Sequence, residues 1–255
     1  MSCSYHFFSP FFSLVKVEIR NYNAHSLVKN EDPEREGRLV RESGRDGIVV
    51  LDFETSGMSP DQGDRAIEIG AVLIQGAEII DHFQSLINPG VRINDFIEDY
   101  TGITNQMLRG APKAPDVMTE FSAFISDYPL VAHNAAFDRS FLDAELNRIH
   151  KKRRQDFGCS LLVARRLYPD APNHKLETLI RYKGLPAGTF HRALADAEMT
   201  ARLWLQMVSD LQSVHGIDEV DFELMQQLAK IKKANLDNYL KKKAKTGKNS
   251  HALLF

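Results

Sequence analysis

Two acidic residues at the end of an apolar run have the types and spacing to hold a metal ion. Asp52 and Glu54 lie two residues apart, directly after IVVL. Side chains at i and i+2 of a strand point to the same face, so both carboxylates are expected to project together. Like charges held close in a partly buried site are unfavourable unless a cation lies between them, and hard oxygen ligands suit Mg²⁺ or Mn²⁺. The alternative is a solvated pair at a strand end, because D-x-E is a permissive pattern.

Two further segments carry polar residues of the same kind. In HNAAFD, Asn134 is a favoured N-cap, and Asp138 then falls in the first or second helical turn, where the helix dipole alone would explain an acid. His133 by itself is more often a hydrogen-bonded structural residue than a ligand. In HRALADAE, His191 and Asp196 are five residues apart, which would place their side chains about 140° apart on a continuous helix. They can meet at one centre only if His191 precedes the helix, and the upstream GLPAGTF segment allows this.

The ordered set DFET, HNAAFD and HRALADA closely resembles the three exonuclease motifs of the DEDDh family. These are 3′-to-5′ exonucleases with an RNase H-like fold, and they include RNase T and the epsilon proofreading subunit of bacterial DNA polymerase III. The resemblance runs from about Ile48 to Leu211 and includes TGITNQML at residues 101–108. That segment departs from the proofreading subunit, which usually has histidine where this chain has Thr101. A stand-alone nuclease is therefore favoured over a dedicated proofreading subunit.

The resemblance implies an activity and roles for individual residues. The expected reaction is metal-dependent hydrolysis of nucleic-acid phosphodiester bonds from the 3′ end, with release of nucleoside 5′-monophosphates. The four acids would bind two divalent ions, Mg²⁺ or Mn²⁺, and His191 would be the general base, since an imidazole can exchange protons near neutral pH. The expected catalytic residues are thus His191 and the four acids Asp52, Glu54, Asp138 and Asp196, and these acids alone are the expected metal ligands. The expected substrate contacts are Phe53, Thr55, Thr101, His133 and Asn134. Two of these residues have an alternative structural role. Asn134 can act as a helix cap without contacting substrate. Phe53 can lie in the core, because it points to the opposite face of the strand from Asp52.

The elements that would position these residues form an α/β domain with a mixed β-sheet covered by helices. Three apolar segments, beginning with IVVLDF, predict an opening three-strand meander. A short strand at PLVAH and several helical patterns follow, the longest at RALADAEMTARLWLQMVSDLQ. We therefore expect an exonuclease domain over residues 47–213. Residues 1–46 are expected to form an N-terminal extension and charged linker, and residues 214–255 a helical, lysine-rich tail.

Composition narrows the classes of protein that fit. The net charge is −2, so the chain as a whole carries no excess of positive charge that would attract nucleic acid. Two cysteines rule out a disulfide scaffold. No apolar run reaches the ~18 residues of a membrane span, and the apolar N-terminus lacks the basic residues of an export signal. We expect a cytoplasmic protein without a membrane partner.

The expected partners are the 3′ ends of single-stranded DNA or RNA. The tail holds eight lysines between Lys230 and Lys248 against one acid, Asp237, which fits either a solvated helix or a tether for a polyanion. The terminal SHALLF loosely resembles peptides that dock on sliding clamps, so a clamp or a DNA polymerase is a further predicted partner. Two alternative functions stay open: a non-catalytic nucleic-acid-binding module on the same fold, and a metal-dependent phosphatase acting on small phosphate esters.

Overall fold

The computed structural model describes residues 47–251, with side chains to residue 245. The predicted N-terminal extension and the last four residues of SHALLF lie outside the described residues. Among the described helices, none is both long enough and apolar enough to cross a membrane.

A five-stranded mixed sheet forms the centre of the domain, as expected. Its first three strands, β1 (Gly47–Thr55), β2 (Ala66–Gln75) and β3 (Glu78–Leu86), form the predicted antiparallel meander. β4 (Leu130–Ala132) pairs in parallel with β1, and β5 (Phe157–Cys159) pairs in parallel with β4, which gives the order β3-β2-β1-β4-β5. β5 has only three residues, too few to show a periodic pattern in the sequence.

Helices cover both faces of this sheet. The first three follow the meander: α1 (Asp95–Thr101), α2 (Asn105–Gly110) and α3 (Ala114–Ile125). The next three alternate with the parallel strands or follow them: α4 (Ala135–Arg148), α5 (Ser160–Leu167) and α6 (Leu176–Tyr182). The last three are α7 (Ala193–Ser213), α8 (Phe222–Lys230) and α9 (Leu236–His251).

Strand alternation divides the core into two main clusters. On one face of β1, Val49 and Leu51 pack with α3 and α4 residues such as Phe121 and Phe141. On the other face, Val50 packs with α7 residues such as Trp204. Asp52 and Glu54 share the parity of Val50, so they continue the face that α7 covers.

The C-terminal segment belongs to the same core. The sequence places residues 214–255 outside the domain, whereas Leu224, Met225 and Leu228 of α8 are buried against α5 and α7 residues, and Leu236 and Leu240 of α9 join them. The reason is the apolar face of α8, which covers one side of β5 and α5. A boundary at residue 213 therefore does not separate two hydrophobic cores.

Candidate active site

Three carboxylates from two separate elements converge at one end of the sheet. Asp52 and Glu54 project from the last residues of β1, and Asp196 lies in the first turn of α7. Their side chains each offer one oxygen, and these oxygens all lie within 4.8 Å of one another. The sequence left open that Asp52 and Glu54 form a solvated pair at a strand end. The structure argues against this alternative, because Glu54 is buried.

A glycine and the ion pair of buried Glu68 with Arg192 bring the start of α7 onto the sheet. Gly70 lies opposite Asp52 in the β1–β2 register, and a Cβ built there would fall 2.1 Å from the Leu194 nitrogen. Only glycine permits this approach. Glu68, which is 0% exposed, accepts hydrogen bonds from the Arg192 guanidinium at 2.9 Å and from the Ala193 N–H at 3.1 Å. Glu68 therefore anchors the first turn of α7, which carries Asp196.

Asp138 approaches the cluster from α4. It lies in the first turn of α4, is 2% exposed, and its Oδ1 accepts a hydrogen bond from the Phe53 N–H at 3.2 Å. This bond ties α4 to β1 between Asp52 and Glu54. The group of three carboxylates within 4.8 Å does not include Asp138, but Asp138 is close enough to raise the pKa of Asp52. The structure thus brings all four predicted acids to one end of the sheet.

Burial raises the pKa values of all four acids, and repulsion between carboxylates adds to this effect. Burial, followed by repulsion from Asp138 and Asp196, raises the pKa of Asp52 well above its usual range. Burial and then Asp196 and Glu68 raise the pKa of Glu54 to about 8. Burial also raises the pKa of Asp138 to about 7 and that of Asp196 to about 6, against the hydrogen bonds that each accepts. A divalent cation among these oxygens would remove that repulsion, so the donor set fits the hard cations expected.

His191 reaches the cluster because it precedes α7. Its backbone is left-handed, with φ at 62°, and its N–H donates to Asp196 Oδ2 at 3.0 Å. This local turn is how two residues that would diverge on a continuous helix come to the same centre. The side chain of His191 is exposed, so a reacting group can reach it.

An exposed aromatic pair beside His191 was not predicted from the sequence. Phe96 is 72% exposed and Tyr100 is 54% exposed, and their rings stack with centroids 6.0 Å apart. The Tyr100 ring also lies 4.3 Å from the His191 ring, and burial, followed by the charges of Glu54 and Asp196, raises the pKa of Tyr100. The signal in the sequence was the i, i+4 spacing of the two aromatic residues in NDFIEDY, which places them on one face of α1.

The five predicted substrate contacts differ in what they offer a nucleotide. Phe53 is 4% exposed and its ring packs edge-on against Phe121, so only its backbone faces the site, as strand parity allowed. Thr55 is buried, and its hydroxyl donates to the Gly57 carbonyl at 2.6 Å. Thr101 is buried as well; its hydroxyl donates to Ile97 O and accepts from the Ile103 N–H. The Thr55 and Thr101 hydroxyls thus hold local backbone in place, and contact of these residues with substrate stays a prediction.

His133 and Asn134 lie at the carboxyl end of β4. Both ring nitrogens of His133 are engaged, one with Ser160 Oγ and one with the His174 carbonyl, each at 2.9 Å. Burial lowers the pKa of His133 to about 4, which favours a neutral ring, and its contact with substrate stays a prediction. Asn134 occupies the N-cap position of α4 but makes no side-chain cap bond and has φ at 71°. Its side chain is exposed, so Asn134 keeps its polar group available to a ligand.

Comparison with known proteins assigns this arrangement to nucleases. A family model described as RNase_T, exonuclease, matches residues 49–204. The chain is 36% identical over 188 residues to the PolC-type DNA polymerase III of Caldanaerobacter subterraneus subsp. tengcongensis, covering 73% of this chain and 13% of that protein. It is 40% identical over 175 residues to the PolC-type DNA polymerase III of Bacillus subtilis, covering 68% of this chain and 12% of the polymerase. The chain thus corresponds to about one eighth of the length of these relatives.

Solved structures show the same fold. Exonuclease X in complex with 5′-overhanging duplex DNA superimposes with a TM-score of 0.57 at 26% identity, covering 71% of this chain and 99% of that one. The nuclease domain of 3′hExo, described as a DEDDh family member bound to rAMP, gives a TM-score of 0.56 at 23% identity, covering 66% and 94% of the two chains. The mixed sheet with its helices therefore has the RNase H-like architecture that was expected.

Proposed function

This chain belongs to the DEDDh exonucleases of the RNase_T family, and from that membership we propose that it is a divalent-metal-dependent 3′-to-5′ exonuclease. It would hydrolyse the terminal phosphodiester bond of a DNA or RNA strand and release a nucleoside 5′-monophosphate. The observation that carries the proposal is the convergence of Asp52, Glu54 and Asp196 within 4.8 Å, with Asp138 and His191 beside them.

The metal requirement follows from the charges of the cluster. The residues that would hold the ions are Asp52, Glu54, Asp138 and Asp196, and Mg²⁺ and Mn²⁺ are the hard cations that suit an all-carboxylate set. Two such ions, when bound, would supply positive charge to the phosphate oxygens and to the attacking and departing oxygens of an in-line displacement. Without them, the acids would repel the phosphates of the substrate.

The proton transfer is assigned to His191. Its exposed imidazole is the group beside the carboxylates that can accept a proton from the attacking water near neutral pH. Asp196 holds the His191 backbone through a 3.0 Å hydrogen bond, and the Tyr100 ring limits where the imidazole can turn. His191 would thus be placed by two neighbours rather than by the loop alone.

The aromatic pair gives the site a surface for an unpaired nucleobase. The Phe96 and Tyr100 rings are nearly parallel, with 10° between their planes, and both are exposed next to His191. Stacking on aromatic rings tolerates any base, because every base has a π-face. This supports a frayed or single-stranded 3′ end as the substrate, with deoxyribose and ribose strands both to be tested.

The test is degradation of matched 5′-labelled single-stranded DNA and RNA in Mn²⁺, in Mg²⁺ and in EDTA. We expect a ladder that shortens from the 3′ end, is lost in EDTA, and is absent in the Asp196→Asn variant. Binding of the strands without any cleavage would instead favour a non-catalytic binding module. Turnover of p-nitrophenyl phosphate in place of the oligonucleotides would favour a phosphatase.

A DNA polymerase or a sliding clamp as partner stays a prediction. The PolC-type relatives contain the matched region within a polymerase chain many times longer. The terminal LLF residues lie outside the described residues. Deletion of residues 250–255 tests the clamp contact: an unchanged affinity for a clamp in calorimetry would exclude it.

A further inference from the structure

A positively lined groove opens where α4 begins. It has a volume of about 350 Å³ and lies between the start of α4, β5, α5 and the end of α8. Its apolar floor includes Ala136, Leu161 and Leu162, and its cationic side chains are Arg139, Arg165 and Lys230. We call it the Arg139–Arg165 groove.

The cations of the Arg139–Arg165 groove are available to a ligand. Arg139, Arg165 and Lys230 are all exposed. Within the part of the chain that the structure describes, none of them pairs with a carboxylate, and no acidic side chain lines the groove. A lining with three positive charges and no negative one selects an anion.

A second basic cavity, unlike the Arg139–Arg165 groove, has acidic side chains in its lining. It has a volume of about 880 Å³ and is lined by the cationic run Lys151–Arg154, but Asp61, Asp143 and Asp156 line it too. Arg153 forms an ion pair with Asp143 at 2.6 Å, so part of the positive charge of this larger cavity is already neutralised. The larger cavity is therefore the weaker anion site of the two.

The groove begins at the N-terminus of α4, the helix whose first turn carries Asp138. Asn134 and Ala135 line it, and Asp138 lies one helical turn further along α4, about 5–6 Å in rise. Arg139 directly follows Asp138. Two hydrogen bonds fix the opposite wall: Gln226 donates to the Phe157 carbonyl at 3.2 Å, and Arg166 donates to the Ile231 carbonyl at 2.6 Å. Lys230 is thereby kept beside α5.

We propose that the Arg139–Arg165 groove binds the backbone phosphates of the single strand upstream of the bond that is cleaved. This inference rests on the proposed exonuclease function, because it makes the groove an extension of that site. A strand whose 3′ end lies at the carboxylates leaves the cluster past the first turn of α4, where Arg139 and Asn134 are exposed. Arg165 and Lys230 then offer further phosphate contacts, and the apolar floor offers surface to a sugar or base.

The test is equilibrium binding of a fluorescently labelled 12-nucleotide single strand, measured by anisotropy at several salt concentrations. The variant Arg139→Ala/Arg165→Ala is compared with Lys152→Ala/Arg154→Ala, which removes two exposed cations of the larger cavity. Each phosphate contact on a single strand contributes about 0.7 to the slope of log K against log salt. Losing two contacts should lower that slope by about 1.4 and weaken binding on the order of 25-fold at 0.1 M salt.

The outcomes separate the groove from the proposed function. A loss confined to the Arg139→Ala/Arg165→Ala variant, with its melting temperature kept, supports the groove. An equal loss of affinity in both variants would mean that only general positive charge matters. No loss of affinity in either variant would show that the groove does not bind the strand. Each of these two results would overturn the inference. If the wild type binds with the groove-dependent slope but never cleaves, the groove stands and the exonuclease proposal fails. If the wild type cleaves the strand and the Arg139→Ala/Arg165→Ala variant binds and cleaves equally well, the exonuclease proposal stands and the groove inference fails.

Discussion

Replacing Glu54 by glutamine should make the metal-free protein more stable at alkaline pH. Burial raises the pKa of Glu54 to about 8, from an ordinary value of 4.5. A carboxyl group with a raised pKa in the folded state stabilises the fold fully below its ordinary pKa, and that stability is lost as the pH rises through the folded value. Between pH 6 and 8 the unfolded chain has released this proton while the folded chain largely retains it.

The magnitude follows from the linkage between proton binding and folding. Each pH unit over which the folded state holds one extra proton lowers the free energy of unfolding by about 1.4 kcal/mol. Between pH 6 and 8, Glu54 alone should therefore lower it by about 2 kcal/mol, because half of the group is ionised at the upper limit. For a folded region of about 200 residues this corresponds to roughly 4–8 °C in the melting temperature.

The assay is thermal melting of the wild type and of Glu54→Gln in EDTA across pH 6 to 8. The wild-type melting temperature should fall more steeply with rising pH than that of the variant. In the variant, only Asp52, Asp138 and Asp196 of the cluster still contribute to this pH dependence. Saturating Mn²⁺ at pH 8 should then stabilise the wild type more than the variant. Equal slopes for the two proteins would show that Glu54 is not held as a buried, uncompensated acid.

The remaining predictions address the other residues of the site. Asp196→Asn should lower cleavage of a labelled oligonucleotide by at least about 100-fold while circular dichroism shows the fold intact; an active variant would remove Asp196 from the mechanism. His191→Gln should lower kcat by about 10²–10⁴ with a smaller effect on KM, and an unchanged kcat would exclude it as the base. Tyr100→Ala should weaken single-strand binding by about 1–3 kcal/mol in anisotropy, whereas Tyr182→Ala, an exposed tyrosine on α6, should not; equal losses would count against the aromatic surface. Mn²⁺ or Mg²⁺ at about 100 times Kd should stabilise the wild type by about 2.7 kcal/mol in calorimetric melting, and no shift would place the metal site in doubt.

The acids of the site could be predicted because local patterns determine their placement. Asp52 and Glu54 follow from strand parity, and the long amphipathic pattern of α7 predicts the helix that carries Asp196. Glu68 was missed, although one acid in the apolar run AIEIGAVLIQ is itself a signal of a buried charge that needs a partner. Its role depends on Arg192, 124 residues away in sequence, and no local pattern specifies that pairing.

Other features of the site depend on tertiary packing, which no local sequence pattern specifies. His133 and Thr101 carry polar groups suited to substrate, but each is saturated by hydrogen bonds inside the protein. The Arg139–Arg165 groove joins residues from helices far apart in the chain, so its charge is visible only in three dimensions. The tail was separated from the domain on its lysine content, while the apolar face of α8 decided the packing.

The most direct test of the central claim uses one oligonucleotide labelled in turn at its 5′ and its 3′ end, incubated with Mn²⁺ and the wild-type protein. We expect the 3′ label to leave in the first product as a nucleoside 5′-monophosphate, while the 5′-labelled strand shortens one nucleotide at a time. EDTA should stop both. Release of the 5′ label first, or internal fragments that keep both ends, would contradict the assignment of a 3′-to-5′ exonuclease to these carboxylates.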